Sequence, residues 1–256
     1  MNQDNPNRIA LVTGASSGFG RSICQRLVKD GYRVVAAARR TALLEDLRAE
    51  LGPDLLPLEL DVRDAKAVAR LPSTLPQGFG DIDLLVNNAG LALGMEPAHK
   101  ASLDDWQTMI DTNVTGLARV THAILPGMVE RNRGHIINMG SIAGSYPYPG
   151  GNVYGGTKAF VAQFSLNLRA DLAGTRIRVT DIQPGLCGGT EFSTVRFHGD
   201  GQKAASIYQG AEALGPDDIA ETVSWIAALP PHFNVNAIEI MPTSQSFSAL
   251  HVSRSA

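Results

Sequence analysis

The chain has 256 residues, 44% of them hydrophobic and 18% charged, the balance of a soluble globular protein with one large core or two small ones. Its 22 lysines and arginines against 25 aspartates and glutamates leave a net charge of −3, without the basic excess of a general nucleic-acid binder. No apolar run is long enough to span a bilayer, and MNQDNPNR at the amino terminus lacks the apolar segment of a secretory signal, so residues 1–7 read as a short mobile lead-in.

RIALVTGA (8–15) reads as a first strand, and GFGRSICQRLVKDG (18–31), with Phe19, Ile23, Leu27 and Val28 at helical spacing, as the first helix. RVVAAAR (33–39) predicts a second strand, TALLEDLRAELG (41–52) a second helix and LLPLELD (55–61) a third strand. After a weaker helical segment, IDLLVNNAG (82–90) predicts the fourth strand. Ser102 caps a long helix whose apolar residues Leu103, Trp106, Ile110, Val114 and Leu117 recur every three or four positions; Pro126 is expected to bend or end it. HIINMGS (135–141) is the fifth strand. The next helix carries YGGTK (154–158), with Phe160, Phe164, Leu168 and Leu172 on one stripe. IRVTDIQPG (177–185) is the sixth strand, PDDIAETVSWIAAL (216–229) a helix opened by proline, and NAIEIMP (236–242) the last element.

Apolar strands alternating with amphipathic helices predict an α/β fold: a doubly wound parallel sheet of about seven strands with helices on both faces. No linker or repeat divides it, so 8–256 reads as a single domain. Ligands of such sheets bind beyond the carboxyl ends of the strands, which places the chemistry at Gly14, Arg39, Asp61, Asn87, Ser141 and Pro184. The irregular stretch 185–214 reads as a substrate lid. Two cysteines far apart, Cys24 and Cys187, and six scattered histidines give no disulfide framework or metal site, and make a reducing cytoplasm the expected compartment.

TGASSGFG (13–20) leaves the first strand and opens the first helix. Gly14 permits a tight turn, Gly18 lets backbone approach a pyrophosphate, and Gly20 allows close helix packing at an amino terminus rich in amide donors. A glycine-rich string alone is an ordinary strand–helix turn; its place in the first strand–helix unit makes it a dinucleotide site. Where an NAD site presents an acid to the ribose, this chain has Arg39 and Arg40. Two guanidinium groups suit a 2′-phosphate and point to NADP, unless both are merely solvated. Asp61 and Val62 are placed to flank adenine, and Asn87 to Gly90 to line the inner ribose.

TGASSGFG, NNAG (87–90), Asn113, Ser141, Y-G-G-T-K and PG (184–185), in this order and spacing, make the chain resemble the short-chain dehydrogenase/reductase family over its whole length after the lead-in. LVNNAGLALGMEPAHKAS, MIDTN, LPGMVERN, GGNVYG and PGLCGGTEF are similar to one group within it. These are the bacterial NADP-dependent 3-hydroxy acid dehydrogenases, also described as serine or L-allo-threonine dehydrogenases and malonic semialdehyde reductases. Gln183 stands where that group has glutamate, and Cys187 where it has an aliphatic residue.

The resemblance implies a reversible, cytoplasmic oxidoreductase and a homotetramer built through the long helix, the YGGTK helix and the last helix and strand. It implies Tyr154 as acid/base, Lys158 on the nicotinamide ribose, Ser141 on the substrate oxygen, and Asn113 holding a relay water. It further implies a cofactor set of Gly14, Ser16, Ser17, Gly18, Phe19, Gly20, Arg39, Arg40, Asp61, Val62, Asn87, Ala89, Gly90, Tyr154, Lys158, Pro184, Gly185, Cys187 and Thr190. A free tyrosine titrates near 10. Lys158, one turn on and on the same face, is expected to lower that value together with oxidised nicotinamide. Alone, Tyr-x-x-x-Lys is a solvated helix face; its conjunction with the nucleotide turn makes it catalytic. Gly155 and Gly156 are expected to keep bulk away from that face. Arg196 is the favoured anchor for a substrate carboxylate, ahead of His198 and Lys203. The rival readings are a reductase of a bulkier ketone and a non-catalytic NADP-binding sensor.

Overall fold

The computed structural model describes residues 8–247; the lead-in expected at 1–7 lies outside the described residues. Seven strands form one sheet: β1 (Ile9–Thr13), β2 (Arg33–Ala38), β3 (Leu55–Glu59), β4 (Ile82–Asn87), β5 (Gly134–Met139), β6 (Ile177–Pro184) and β7 (Ala237–Ile240), in the order β3-β2-β1-β4-β5-β6-β7. Every neighbouring pair is parallel. The direction of winding reverses between β1 and β4, which opens a crevice at the carboxyl ends of those two strands.

Strand residues alternate between two cores. Ala10, Val12, Val34 and Ala36 pack with α1 (Gly18–Lys29), α2 (Thr41–Leu51) and a carboxyl-terminal helix, Pro216–Ala228, through Ile23, Leu27, Leu44, Leu47, Ile219 and Val223. Ile9, Leu11, Val35 and Ala37 pack on the opposite face with α3 (Ala65–Thr74) and the helices built from 103–130 and 152–171. Both faces are covered, which is why the strands read as unbroken apolar runs rather than alternating ones.

Two expectations need correction. The long helix after Ser102 is three pieces: α4 (Leu103–Ile110), a π-helical turn at Asp111–Gly116, and α5 (Leu117–Glu130). Ser102 does cap it, accepting from the Asp105 amide at 3.3 Å. Pro126 does not end it. A proline inside a helix costs about 3 kcal/mol, but Ile124 and Met128 on either side are buried, each stabilising by about 1.5–3 kcal/mol, and hold the last turn on the sheet. The stretch 185–214 is also less irregular than expected. It contains α7 (Phe192–Arg196) and α8 (Gly201–Ser206), and its roots are clasped by Gly188 N–H to Leu214 O at 2.8 Å and Leu214 N–H to Leu186 O at 3.1 Å. The remaining helices are α6 (Asn152–Asp171) and α9 (Pro216–Ala228).

Candidate active site

The turn between β1 and α1 is a close-packed cradle. Gly14 and Gly18 hold φ of +67° and +51°, in the left-handed region where glycine carries no Cβ penalty. A Cβ at Gly14 would stand 2.9 Å from the Ala89 Cα, and one at Gly20 would collide with the Gly14 carbonyl and the Asn88 amide. Gly20 therefore serves the turn itself as much as helix packing. Thr190, reaching over from the segment after β6, would crowd any side chain at Gly18. Ser16 is buried, and Phe19 packs against the α1-side core. These positions keep side-chain bulk away from the amino terminus of α1, where helix amides are suited to meet an anion.

Arg40, rather than Arg39, is tied to this turn. Its guanidinium donates to Ser17 Oγ at 2.7 Å and Ser16 Oγ at 3.2 Å, and pairs with Glu191 at 2.7 Å. Arg39 is exposed, its charge acting on Asp61. Asp61 is held by Arg63 at 2.6 Å, which, ahead of burial, keeps its carboxyl below the usual range. Val62 is buried and would be struck by a Cβ at Gly116.

NNAG splits between interior and surface. The Asn87 side chain turns inward, its amide NH2 donating to Thr121 Oγ1 (2.9 Å) and Asn138 Oδ1 (2.8 Å), while its Oδ1 has no hydrogen-bond partner among the described residues. Asn88 donates to the Thr13 carbonyl at 2.9 Å, and Thr13 Oγ1 accepts from the Asn88 and Ala89 amides. This joins the β4 loop to the phosphate turn. Gly90 lies against Asn113 Oδ1 and Lys158 Nζ.

The four expected catalytic residues converge on one corner. Asn113, in the π turn, clamps Leu91 through both backbone groups (2.9 and 2.8 Å) and donates to Thr157 Oγ1 at 3.1 Å. Single π turns recur at functional sites because the extra residue re-aims a side chain. Ser141 follows β5 in extended backbone, its Oγ accepting from the Ala143 amide at 3.1 Å. Tyr154 and Lys158 share the buried face of α6. Lys158 Nζ donates to the Met139 carbonyl at 2.7 Å and stands 5.8 Å from the centroid of the Tyr154 ring.

In the chain by itself, without the oxidised nicotinamide that the expectation includes, the Tyr154 phenol is not lowered. Burial pushes it up to about 12; the Ser141 hydroxyl and the Arg196 guanidinium pull against burial without offsetting it. Burial likewise lowers Lys158 to about 8, against the opposing pull of Asp181. Desolvation penalises phenolate and ammonium alike, so without a bound ligand the pair rests closer to neutrality than two exposed groups would.

The two glycines of YGGTK are not equivalent. A Cβ at Gly155 would lie 2.9 Å from the Ala143 carbonyl, in the turn that follows Ser141, whereas nothing lies within 4 Å of one at Gly156. Crowding by the protein's own atoms, among the described residues, is present at Gly155 and absent at Gly156. We expect Gly155→Ala to lower the melting temperature and turnover by shifting the Ser141 turn. Gly156→Ala should keep activity and gain about 0.5–1 kcal/mol of helix propensity in thermal unfolding. Equal effects at both positions would remove the distinction.

Arg196, at the end of α7, reaches this corner from the segment 185–214. Its guanidinium stands 5.4 Å from the Tyr154 ring centroid, donates to the Tyr148 hydroxyl, and contacts the Gly94 carbonyl at 3.4 Å. His198 instead pairs with Asp105 at 3.1 Å, and Lys203 lies 4.7 Å from the Phe197 ring centroid. Gly185 is covered by Gln245 and Met241, and Cys187 is half-buried, its thiol pushed up to about 12 by burial. Sequence reasoning missed Tyr148, Glu191, Arg63 and Gln245, whose roles come from contacts across long sequence separations. Tyr148 alone had a local signal, as an aromatic six residues before Tyr154 in the same motif.

A glycine-rich turn after β1 and a Ser–Tyr–Lys corner on one doubly wound sheet are features of a dehydrogenase, and residues 8–200 match the family model for short chain dehydrogenase. The chain belongs to the short-chain dehydrogenase family. It is 61% identical to the NADP-dependent 3-hydroxy acid dehydrogenase YdfG of Salmonella typhi, over 96% of this chain and 100% of that protein. It is 52% identical to the serine 3-dehydrogenase of Rhizobium radiobacter, over 95% and 97%. Among solved structures, the closed form of serine dehydrogenase complexed with NADP+ superposes with a TM-score of 0.95 at 59% identity, over 96% of this chain and 100% of that one.

Proposed function

We propose that this chain is an NADP-dependent oxidoreductase that reversibly oxidises the 3-hydroxyl of short 3-hydroxy acids. Serine, L-allo-threonine and threonine isomers are substrates for oxidation, and malonic semialdehyde for reduction. The observation that carries the substrate class is Arg196: a guanidinium held over the Tyr154 ring gives an acidic substrate a counter-charge beside the reacting hydroxyl. The family and its relatives support the rest.

The residues present fit NADP. Gly14, Ser16, Ser17, Gly18, Phe19 and Gly20 would hold the pyrophosphate. Arg40, backed by the two serines, would hold the 2′-phosphate, with Arg39 adding charge. Asp61 and Val62 would bound the adenine, and Asn87, Ala89 and Gly90 the inner ribose. Tyr154 and Lys158 would hold the nicotinamide ribose, with Pro184, Gly185, Cys187 and Thr190 along the ring. NADP+ supplies the hydride acceptor for the carbinol carbon, and NADPH the donor in reverse.

The chain's own groups manage the proton. Ser141 donates to the substrate oxygen and fixes it against the Tyr154 hydroxyl. In reduction, the protonated phenol delivers its proton to that oxygen; the buried setting that holds the phenol near 12 keeps the proton available for it. In oxidation the phenolate takes the proton, with the Lys158 ammonium stabilising the anion. Asn113, clamped beside Lys158 by Leu91 and Thr157, would hold the relay water. The segment 185–214, clasped at its roots, serves as the lid.

The assay follows NADPH absorbance with L-serine, L-allo-threonine, malonic semialdehyde and a bulky ketone. Turnover of the three small acids is expected. Turnover of the ketone alone would shift the reading to another reductase, and none at all would leave a nucleotide sensor. Exposed apolar residues on α4, α6 and α9, among them Leu103, Leu166 and Trp225, support the homotetramer; a monomer mass by light scattering would exclude it. Two free cysteines suit a reducing cytoplasm, and no helix of the described residues is long and apolar enough to cross a membrane. Export of the chain to the periplasm in fractionated cells would overturn the cytoplasmic assignment.

A further inference from the structure

One buried carboxylate has no part in the chemistry above. Asp181, in the middle of β6, is 2% exposed. The alternation of β6 turns Val179 toward the core under α6 and Ile182 to the other face. Asp181 therefore points to the α6 side, where Lys158 descends. Its Oδ2 accepts from the Gln183 amide at 2.7 Å, while Oδ1 has no hydrogen-bond partner among the described residues. A buried carboxylate oxygen left unpaired costs several kcal/mol unless a charge nearby compensates it.

The space it occupies exists only because residue 140 is glycine. A Cβ there would strike Asp181 Oδ1 and stand 3.0 Å from its Cγ. One peptide unit back, the Met139 carbonyl accepts from Lys158 Nζ. The Met139–Gly140 segment thus touches the ammonium on one residue and the carboxylate on the next.

We propose that Asp181 is a positioning residue that keeps Lys158 charged: a carboxylate built into the sheet beneath α6, clamped by Gln183 and admitted by Gly140, as the fixed counter-charge to the Lys158 ammonium. Facing Lys158 are Tyr154 on its own helix, Asp181 on β6, and the neutral Asn113 and Gly90; Arg196, Tyr148 and Cys187 act on Tyr154. Asp181 is the anion of this set. Its attraction opposes the burial that lowers Lys158, and burial raises Asp181 itself against the pull of Gln183, Lys158 and the Gly140 amide. Oδ1 has no hydrogen bond of ordinary geometry, and its charge is eased by the nearby Gly140 amide and by the Lys158 ammonium.

The sign follows. Removing the carboxylate destabilises the ammonium, so Lys158 loses its proton at lower pH and the alkaline limb of the reaction moves down. The test is a pH titration of the Lys158 Cε resonance in protein carrying ¹³C-lysine, assigned by its loss in Lys158→Arg. In Asp181→Asn the midpoint is expected to fall by about one pH unit, a tenfold change in proton affinity, with partial recovery in Asp181→Glu. An unchanged midpoint in a folded Asp181→Asn overturns the proposal. Should that variant not fold, the unsubstituted protein decides. Its Lys158 resonance should show a second inflection where Asp181 takes up its proton, above the ordinary carboxylate range, and absence of that inflection overturns the proposal equally. The role rests on the reading of Lys158 as partner of Tyr154, and kcat/KM for L-serine separates the two. A shifted midpoint with an unmoved pH–rate profile would uphold Asp181 and sink the catalytic reading of Lys158.

Discussion

Tyr154→Phe is expected to lower kcat by about 10²–10⁴-fold, the usual worth of a positioned acid/base, while NADPH binding measured by fluorescence stays within a few-fold. The substitution removes one oxygen and keeps the ring. Tyr154 is 8% exposed and meets Phe192 edge-on at 5.8 Å between centroids, and phenylalanine makes the same contact. The fold should therefore survive, and a loss of rate can be assigned to the missing proton. The alternative donor is Tyr148, whose hydroxyl already accepts from Arg196. A Tyr154→Phe enzyme that keeps kcat within tenfold would move the acid/base role there, and Tyr148→Phe would then show the larger loss.

Arg196→Leu is expected to reduce kcat/KM for L-serine by about 10²-fold or more. Truncating one partner of a desolvated charge pair commonly costs 2–5 kcal/mol. Simple secondary alcohols, which lack the carboxylate, should lose no more than a few-fold. The contrast works because the segment 185–214 does not depend on the guanidinium for its position. The Gly94 amide donates to the Arg196 carbonyl at 2.9 Å, and that backbone bond survives the substitution. Parallel losses on acids and alcohols would show that the side chain acts on the lid, through Tyr148 and Gly94, rather than on substrate. Arg196→Lys, with a charge but no fork, should recover part of the selectivity.

Most of the sheet could be read from residues alone because a parallel sheet covered on both faces demands unbroken apolar strands, and VVAAA or LLV has few other uses. The close-packed turn after β1 was legible for a similar reason: glycine at 14, 18 and 20 answers steric demands that nothing else meets. The π turn at Asp111–Gly116 was hidden because one extra residue barely disturbs a three-to-four spacing, so α4 and α5 read as one helix. Pro126 misled because a local helix breaker is outweighed by burial that only the tertiary structure supplies. Asn87 shows the limit within a motif: its position at a strand end was right, but which way its amide turns was settled by Thr121 and Asn138, far away in sequence. Asp181 and Glu191 left no local trace, since each acquires meaning only from a cation on another element.

Glu191 and Arg196 bracket α7, a single-turn rod. The first grips Arg40, proposed to meet the nucleotide, and the second overhangs Tyr154, proposed to carry the chemistry. A strut about 8 Å long has little slack, so on the proposed site assignment a tug at Arg40 would be transmitted to the ceiling over Tyr154. Dinucleotides that differ only in their remote phosphate would then be told apart by how well the small molecule is gripped, and not by coenzyme affinity alone.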